Sequence, residues 1–111
     1  MKNISSIIHR ITQSFQPKYS TEMIEELPQK LDPYKLYFIG EGRFRWSVAL
    51  LCPCGCGDTI QLNVRNDAHP FWRIIEKKGR VSLEPSIWRS KGCCSHFFLR
   101  NSRIQWYYGK H

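Results

Sequence analysis

The sequence predicts an α+β fold in which an N-terminal amphipathic helix precedes a mostly antiparallel set of β-hairpins. Two observations support this class. Apolar residues recur at helical spacing in the first sixteen positions, and from residue 35 onward short aromatic and β-branched segments alternate with Gly or Asn turns. At 111 residues the chain has the size of one small domain.

The predicted helix covers residues 1–17, and residues 18–34 are expected to form a linker. The apolar side chains of the helix share one face: Ile4, Ile7, Ile8, Ile11 and Phe15. Pro17 ends the helix because the residue before a proline avoids the helical region. The stripe fits packing on protein, and the absence of acidic residues up to position 18 also suits a membrane surface or an organellar presequence.

Residues 35–111 are expected to form a zinc-binding, β-rich domain. Turn residues divide this part of the chain into short strand-like runs. The predicted strands are 35–39, 44–51, 59–64, 71–75, 80–83, 96–100 and 104–108. Several of these runs are separated by tight turns, so neighbouring strands are expected to pair as hairpins.

The zinc prediction depends on five clustered cysteines and one histidine. Three cysteines lie within Cys52-Pro-Cys-Gly-Cys56, and two more open the segment Cys93-Cys94-Ser-His96. Glycines and a proline let each cluster turn sharply, and zinc prefers thiolate and imidazole ligands. The expected ligands come from Cys52, Cys54, Cys56, Cys93 and His96, with Cys94 a bystander, although spacing alone leaves the four ligands open.

Other readings of these cysteines are weaker. Disulfides within either cluster would need strained geometry. A zinc with four protein ligands is structural rather than catalytic, and no His or Asp stands at a recognisable spacing to make Cys94 a nucleophile. The sequence therefore favours a closed metal site without chemistry of its own.

Positive charge is concentrated in the C-terminal part of the chain. The net charge is +8, with 8 basic and 7 acidic groups in residues 1–70 but 9 basic and 2 acidic groups in residues 71–111. The candidate binding face for nucleic acid or a partner comprises Arg73, Lys77, Lys78, Arg80, Arg89, Lys91, Arg100 and Arg103. Aromatic residues interleaved with these cations are typical of surfaces that bind nucleic acid, where bases stack on the rings. The cations would equally suit an acidic protein partner. Strands that bury aromatics and expose cations would need neither ligand.

Membrane-spanning proteins are excluded at this stage because no apolar run approaches the roughly 18 residues of a spanning helix. The first residues also lack the compact apolar core and cleavage site of a secretory signal. We therefore expect a cytoplasmic protein.

Four segments together resemble a bacterial family of small zinc-binding proteins of unknown function. They are Cys52-Pro-Cys-Gly-Cys-Gly57, His69-Pro-Phe-Trp-Arg73, Val81-Ser-Leu-Glu-Pro-Ser-Ile-Trp88, and Gly92-Cys-Cys-Ser-His-Phe-Phe-Leu99 with Arg103-Ile-Gln-Trp106. The resemblance covers roughly residues 20–108. It implies that Cys93 and His96 form the second ligand pair and that Cys94 occupies a variable position.

Members of that family are commonly encoded beside bacterial ubiquitin-like proteins and enzymes resembling ubiquitin-activating and ubiquitin-conjugating proteins. The resemblance thus implies a non-catalytic adaptor in a ubiquitin-like conjugation or related defence pathway, binding a protein component of it. No residue matches a known catalytic pattern, so an enzyme is not expected. The alternative function is a nucleic-acid-binding zinc protein that uses the basic C-terminal face.

Overall fold

The computed structural model describes residues 17–107 and folds them into eight β-strands. The strands are β1 (Ser20–Ile24), β2 (Lys35–Glu41), β3 (Phe44–Leu51), β4 (Thr59–Asn63), β5 (Arg73–Lys77), β6 (Arg80–Trp88), β7 (His96–Arg100) and β8 (Arg103–Trp106). They form two four-stranded sheets, with no helix in this part of the chain.

The predicted α+β class is therefore wrong, and the described residues form an all-β fold. The expected helix of residues 1–17 lies outside the described residues except for Pro17. Helical periodicity was confined to that segment, whereas later segments bury alternate residues, as β4 and β7 do. All seven predicted strands have counterparts, six of them within two residues of their expected bounds, whereas β6 extends five residues beyond the predicted 80–83.

The first sheet has the strand order β1-β2-β3-β4. β2, β3 and β4 pair antiparallel, and β1 joins the edge of β2 in parallel. Strand β1 lies within the segment 18–34 that was expected to be a linker. Gly40 lies at a bulge of β2, where an added Cβ would clash with the Phe44 carbonyl oxygen of β3, so the close approach of the two strands requires glycine here.

The second sheet is a meander in the order β5-β6-β7-β8, with every pair antiparallel. Its two outer hairpins turn through residue pairs with positive φ, Lys78 with Gly79 and Asn101 with Ser102. Two such residues in succession are typical of the tight turns that match the twist of antiparallel strands.

Strand β6 contains a wide bulge opposite β7. Leu83 pairs with Leu99 and Ile87 pairs with Phe97, so four steps along β6 face two steps along β7. The residues between the two pairs, Glu84 to Ser86, therefore have no partner in β7, although Glu84 still pairs with Arg73 of β5. The Glu84–Pro85 peptide bond is cis. Bulges of this kind redirect side chains and occur beside active sites.

The two sheets share one hydrophobic core. Phe38, Val48 and Leu50 of the first sheet pack with Leu83 and Phe97 of the second, all nearly inaccessible to solvent. A smaller cluster on the other face of the first sheet forms around Leu31, Tyr37, Ile39 and Ala49. Among the described residues, the outer face of the second sheet belongs to neither cluster. No helix among residues 17–107 is long and apolar enough to cross a membrane.

Candidate functional site

Four cysteines from two loops meet at one end of the fold. Cys52, Cys54 and Cys56 follow β3, and Cys93 lies in the loop between β6 and β7. Their Sγ atoms all lie within 4.8 Å of one another. Cys52 Sγ is 3.4 Å from that of Cys54 and 3.6 Å from that of Cys93. A tetrahedral zinc with bonds of about 2.3 Å would hold its sulfurs about 3.8 Å apart, so the group fits such an ion.

Backbone hydrogen bonds hold the two cysteine loops in shape. Cys52 donates its N–H to the Asp58 carbonyl at 2.8 Å, which closes the first loop, and Gly55 and Gly57 adopt positive φ inside it. The second loop is closed by the Arg89 N–H, which donates to the Ser95 carbonyl at 2.8 Å. Both loops are thus formed by local structure that aims the thiols at one point.

The environment of the thiols differs from one cysteine to the next. Burial raises the pKa of the Cys52 thiol to about 12. The Ser95 hydroxyl, 3.1 Å from Cys93 Sγ, lowers the pKa of Cys93 to about 6. A hydrogen bond from Ser95 also lowers the pKa of Cys54. A lowered pKa favours the thiolate, which is the form that binds metal.

Arg89 connects the two loops. Its guanidinium lies 3.0 Å from Asp58 Oδ2, 3.5 Å from Cys56 Sγ and 3.4 Å from Cys93 Sγ. Hydrogen bonds to the Cys52 and Asp58 side chains stabilise its charge and raise the pKa of Arg89. Arg89 was expected on a binding face, but the structure places it beside the cysteines, where its charge offsets that of the thiolates.

Cys94, the expected bystander, and His96, one of the expected ligands, lie outside the group of four. Cys94 is exposed, has positive φ and is not a member of the group of four. His96 is not a member either. It begins β7, and its Nε2 lies 2.8 Å from the Ser86 Oγ.

Ser86 and His96 form a pair on the outer face of the second sheet. Trp88 on β6 faces His96 on β7, so Ser86 lies diagonally across the two strands from the imidazole. The bulge after Leu83 brings Ser86 to this position, and the Trp72 indole N–H donates to its carbonyl at 3.2 Å. A serine hydroxyl bonded to an imidazole is the arrangement that activates serine as a nucleophile.

Two aromatic rings sandwich the imidazole of His96. The Tyr107 ring lies 4.4 Å from it, centroid to centroid, at an interplanar angle of 4°. Trp88 stacks on it at 5.5 Å and 16°. The Tyr107 N–H also donates to the His96 carbonyl at 2.9 Å, which ties the two strands together at this point. The imidazole is therefore held in one plane, with Nε2 directed at Ser86.

A cleft of about 580 Å³ adjoins Ser86. Its apolar walls are Phe71, Leu83, Pro85 and Phe98, and its polar lining comes from Arg73, Glu84, Ser86 and Arg100. A partly apolar cleft with a nucleophile at its edge can accommodate a side chain next to a bond under attack.

The predicted basic face is only partly assembled. Lys77 and Arg80 flank the β5–β6 turn with Lys78, and Arg100 and Arg103 flank the β7–β8 turn. Arg73 pairs with Glu84 at 2.6 Å. Arg89 and Lys91 lie instead at the cysteine end of the fold.

Sequence reasoning missed Ser86 as a functional residue. The signal was present, because Ser86 and His96 both lie in segments that carry the family resemblance. Nothing in their spacing of ten residues indicated that they meet, because that depends on the bulge in β6.

Comparison with known proteins connects the chain with one family. No curated protein and no solved structure matches it. Residues 23–107 match a family model described as "Bacterial ubiquitination-like system serine protease (BubE)". This agrees with the expected association with ubiquitin-like conjugation, whereas a protease was not expected from the sequence. Because the match covers most of the chain, this protein belongs to the BubE family of bacterial ubiquitination-like systems.

Proposed function

We propose that this chain is a serine peptidase acting on a protein of a bacterial ubiquitination-like system, with Ser86 as the nucleophile and His96 as its general base. The contact of 2.8 Å between Ser86 Oγ and His96 Nε2 is the observation that carries the proposal. The family's description as a serine protease supports the same reaction class.

The reaction would follow the usual chemistry of an activated serine. Ser86 Oγ attacks the substrate carbonyl carbon while His96 Nε2 takes the hydroxyl proton. The tetrahedral intermediate collapses as the imidazolium gives that proton to the leaving amine, which leaves Ser86 acylated. Water, deprotonated by His96, then attacks the ester and releases the carboxylic acid and the free serine.

The fold prepares this pair in advance. The Trp72 indole holds the Ser86 carbonyl, and Trp88 and Tyr107 hold the imidazole plane. Preorganised groups need no rearrangement at the moment of reaction, which is a main source of catalytic rate.

We propose zinc as the metal held by Cys52, Cys54, Cys56 and Cys93. Four thiolates satisfy its coordination, so the ion would supply structure rather than a site for water. Cys93 and His96 are three residues apart, so the metal would fix the loop that leads into the general base. Cysteines that are not joined in disulfides are typical of a reducing compartment, which supports the cytoplasm as the location.

A fluorophosphonate probe tests the peptidase directly, because it reacts covalently with activated serines. Intact-mass analysis of the wild-type chain should show one adduct, which proteolytic mapping places on Ser86. Ser86→Ala should remove the adduct, and His96→Ala should slow its formation by about 100-fold or more. Ser90→Ala, which changes an exposed serine in the β6–β7 loop, is the matched control and should label like the wild type.

Labelling that survives in Ser86→Ala, or a wild-type chain that forms no adduct, would refute the assignment. The non-catalytic adaptor would then be the better proposal. It expects binding to a protein of the conjugation pathway that does not depend on Ser86.

A further inference from the structure

We propose that the outer face of the second sheet binds substrate as an extended polypeptide, with an apolar residue beside the scissile bond and acidic residues two to six positions away. The inference rests on the proposed peptidase function and names the substrate class of the same site. Three adjoining clefts that begin at Ser86 and end at the β5–β6 turn carry it; we call them the track.

The first cleft of the track is the apolar one. Its volume of about 580 Å³ lies within the range of ligand pockets, and its walls include Phe71, Pro85 and Phe98. Because Ser86 lines the same cleft, a peptide held there would present a carbonyl to the nucleophile. An apolar side chain next to the scissile bond is the part of a substrate that suits these walls.

The second and third clefts are cationic, and each shares an arginine with its neighbour. Arg100 lines the apolar cleft and also the next one, of about 310 Å³, which Arg80 and Arg103 share. Arg80 in turn lines the third cleft, of about 540 Å³, together with Lys77 and Lys78. The third cleft lies at the end of the second sheet, where residues 18–21, at the start of β1, form its other wall.

Strand alternation places these groups on one surface. On β7, Phe97 and Leu99 point into the core, so His96, Phe98 and Arg100 face outward. On β6, Arg80 lies three residues before Leu83, and the bulge then fits four residues into only two ladder steps before Ile87. Arg80 and Ser86 are therefore about four to five ladder steps apart, on the order of 15 Å. A substrate segment of about five residues would reach from the nucleophile to Arg80.

Four of the positive charges along the track are not used in ion pairs within residues 17–107. Lys77, Lys78, Arg80 and Arg100 form no ion pair with a carboxylate of residues 17–107. Glu76, the carboxylate that lines the third cleft, pairs with Arg45. Arg73, which lines the apolar cleft, pairs with Glu84, whereas Arg45, Arg65 and Arg89 pair with other carboxylates. Four positive charges without an acidic partner among the described residues therefore line the track, where an acidic chain would lie.

A polypeptide fits the track better than nucleic acid. Bases bind such surfaces by stacking on open aromatic rings. The Arg100 guanidinium covers one face of the Phe98 ring, at 4.0 Å from its centroid, and Tyr107 already stacks on His96. These two rings therefore offer less surface for stacking bases than open rings would.

Two fluorogenic peptides test the track. Both peptides have an apolar residue at the cleavage position. One carries three Glu residues two to six positions from the scissile bond, and the other carries three Gln residues at the same positions. Each peptide is made with these residues before the scissile bond and, separately, after it. The wild-type chain should cleave the Glu peptide with a kcat/KM about 10-fold higher. That ratio should fall towards one as NaCl rises from 50 to 500 mM, because salt screens exposed charges.

Charge-removing variants locate the effect. Arg80→Gln and Arg100→Gln should each lower the Glu-to-Gln ratio about threefold, as expected for exposed charge pairs. Arg43→Gln removes an exposed arginine from the β2–β3 turn, away from the track, and should leave the ratio unchanged. An equal ratio in the wild-type and both track variants would overturn the proposal.

Two further measurements separate this proposal from the peptidase assignment. Hydrolysis of a small neutral ester by the wild-type chain depends on the Ser86–His96 pair and not on the track. If the ester is cleaved but the Glu peptide is not preferred over the Gln peptide, the track is wrong. Binding of the labelled Glu peptide to Ser86→Ala tests the track without catalysis. If the peptide binds but the wild-type chain does not cleave it, the peptidase assignment is refuted and the track is retained. Displacement of that peptide by an oligonucleotide of higher affinity would overturn the polypeptide assignment.

Discussion

Tyr107 is predicted to be a positioning residue for the general base. Its ring lies 4.4 Å from the His96 imidazole and nearly parallel to it, so removing the ring should let the imidazole rotate away from Ser86. We compare Tyr107→Leu, which removes the aromatic face, with Tyr107→Phe, which keeps it. Both variants retain the backbone N–H that donates to the His96 carbonyl.

The expected size of the effect follows from the stacking geometry. An aromatic pair contributes about 0.5–1.5 kcal/mol, and a cation above a ring contributes up to about 2 kcal/mol when it is shielded from water. The imidazole becomes a cation during the reaction, so kcat should be lower in Tyr107→Leu than in the wild type by between about twofold and 30-fold. Tyr107→Phe should stay within about twofold of the wild type.

The assay is hydrolysis of a small neutral ester, followed as kcat and KM separately. A positioning role predicts that kcat falls in Tyr107→Leu while KM changes little, because the ester does not need the stack for binding. Thermal melting of each variant checks the fold. If Tyr107→Leu melts like Tyr107→Phe and hydrolyses the ester equally fast, stacking does not position His96 and the reasoning fails.

Three further predictions concern the metal, the buried polar groups and the pH range of stability. Cys93→Ser should lose most of the single bound zinc seen by native mass spectrometry, whereas Cys94→Ser should keep it; equal zinc in both would contradict the ligand set. Ser102→Ala should lower the free energy of unfolding in urea by about 1–3 kcal/mol, because the buried Ser102 hydroxyl accepts the Val81 N–H at 2.9 Å; a loss below 0.5 kcal/mol would show that another group accepts this bond. Burial raises the pKa of Tyr19 to about 12 from 10.0, so its contribution to stability is complete below pH 10 and is lost as the pH rises through 12. Between pH 10 and 12 the urea midpoint of the wild type should therefore fall more steeply than that of Tyr19→Phe, and parallel curves would refute this cause.

Much of the strand structure could be predicted from sequence because burial alternates along it. Strand β1 was missed for a physical reason. Its first four residues are all exposed, so it has no apolar alternation, and hydrogen bonds to the edge of β2 define it. The extension of β6 through Pro85 was missed because proline normally ends a strand, whereas here it lies in a bulge outside the ladder.

The candidate site could likewise be predicted from the sequence only in part. Clustered cysteines were enough to predict a metal centre, because turns fold neighbouring thiols together. Which four of the five expected ligands come together could not be predicted, because the position of His96 depends on where β7 begins and on which face its first side chain emerges. The Ser86–His96 pair was hidden for a similar reason, since strand register brings the two side chains together.

The bulge in β6 adds an even number of residues, and this parity constrains how the chain can vary. Leu83 before it and Ile87 after it both point into the core, because two extra residues return the strand to the same face. Loss or gain of a single residue between them would turn Ile87 outward and Trp88 inward, exchanging an apolar core residue for one that is half exposed. Length changes here should therefore be tolerated only in steps of two, and removing two would straighten the strand and withdraw the nucleophile from its base.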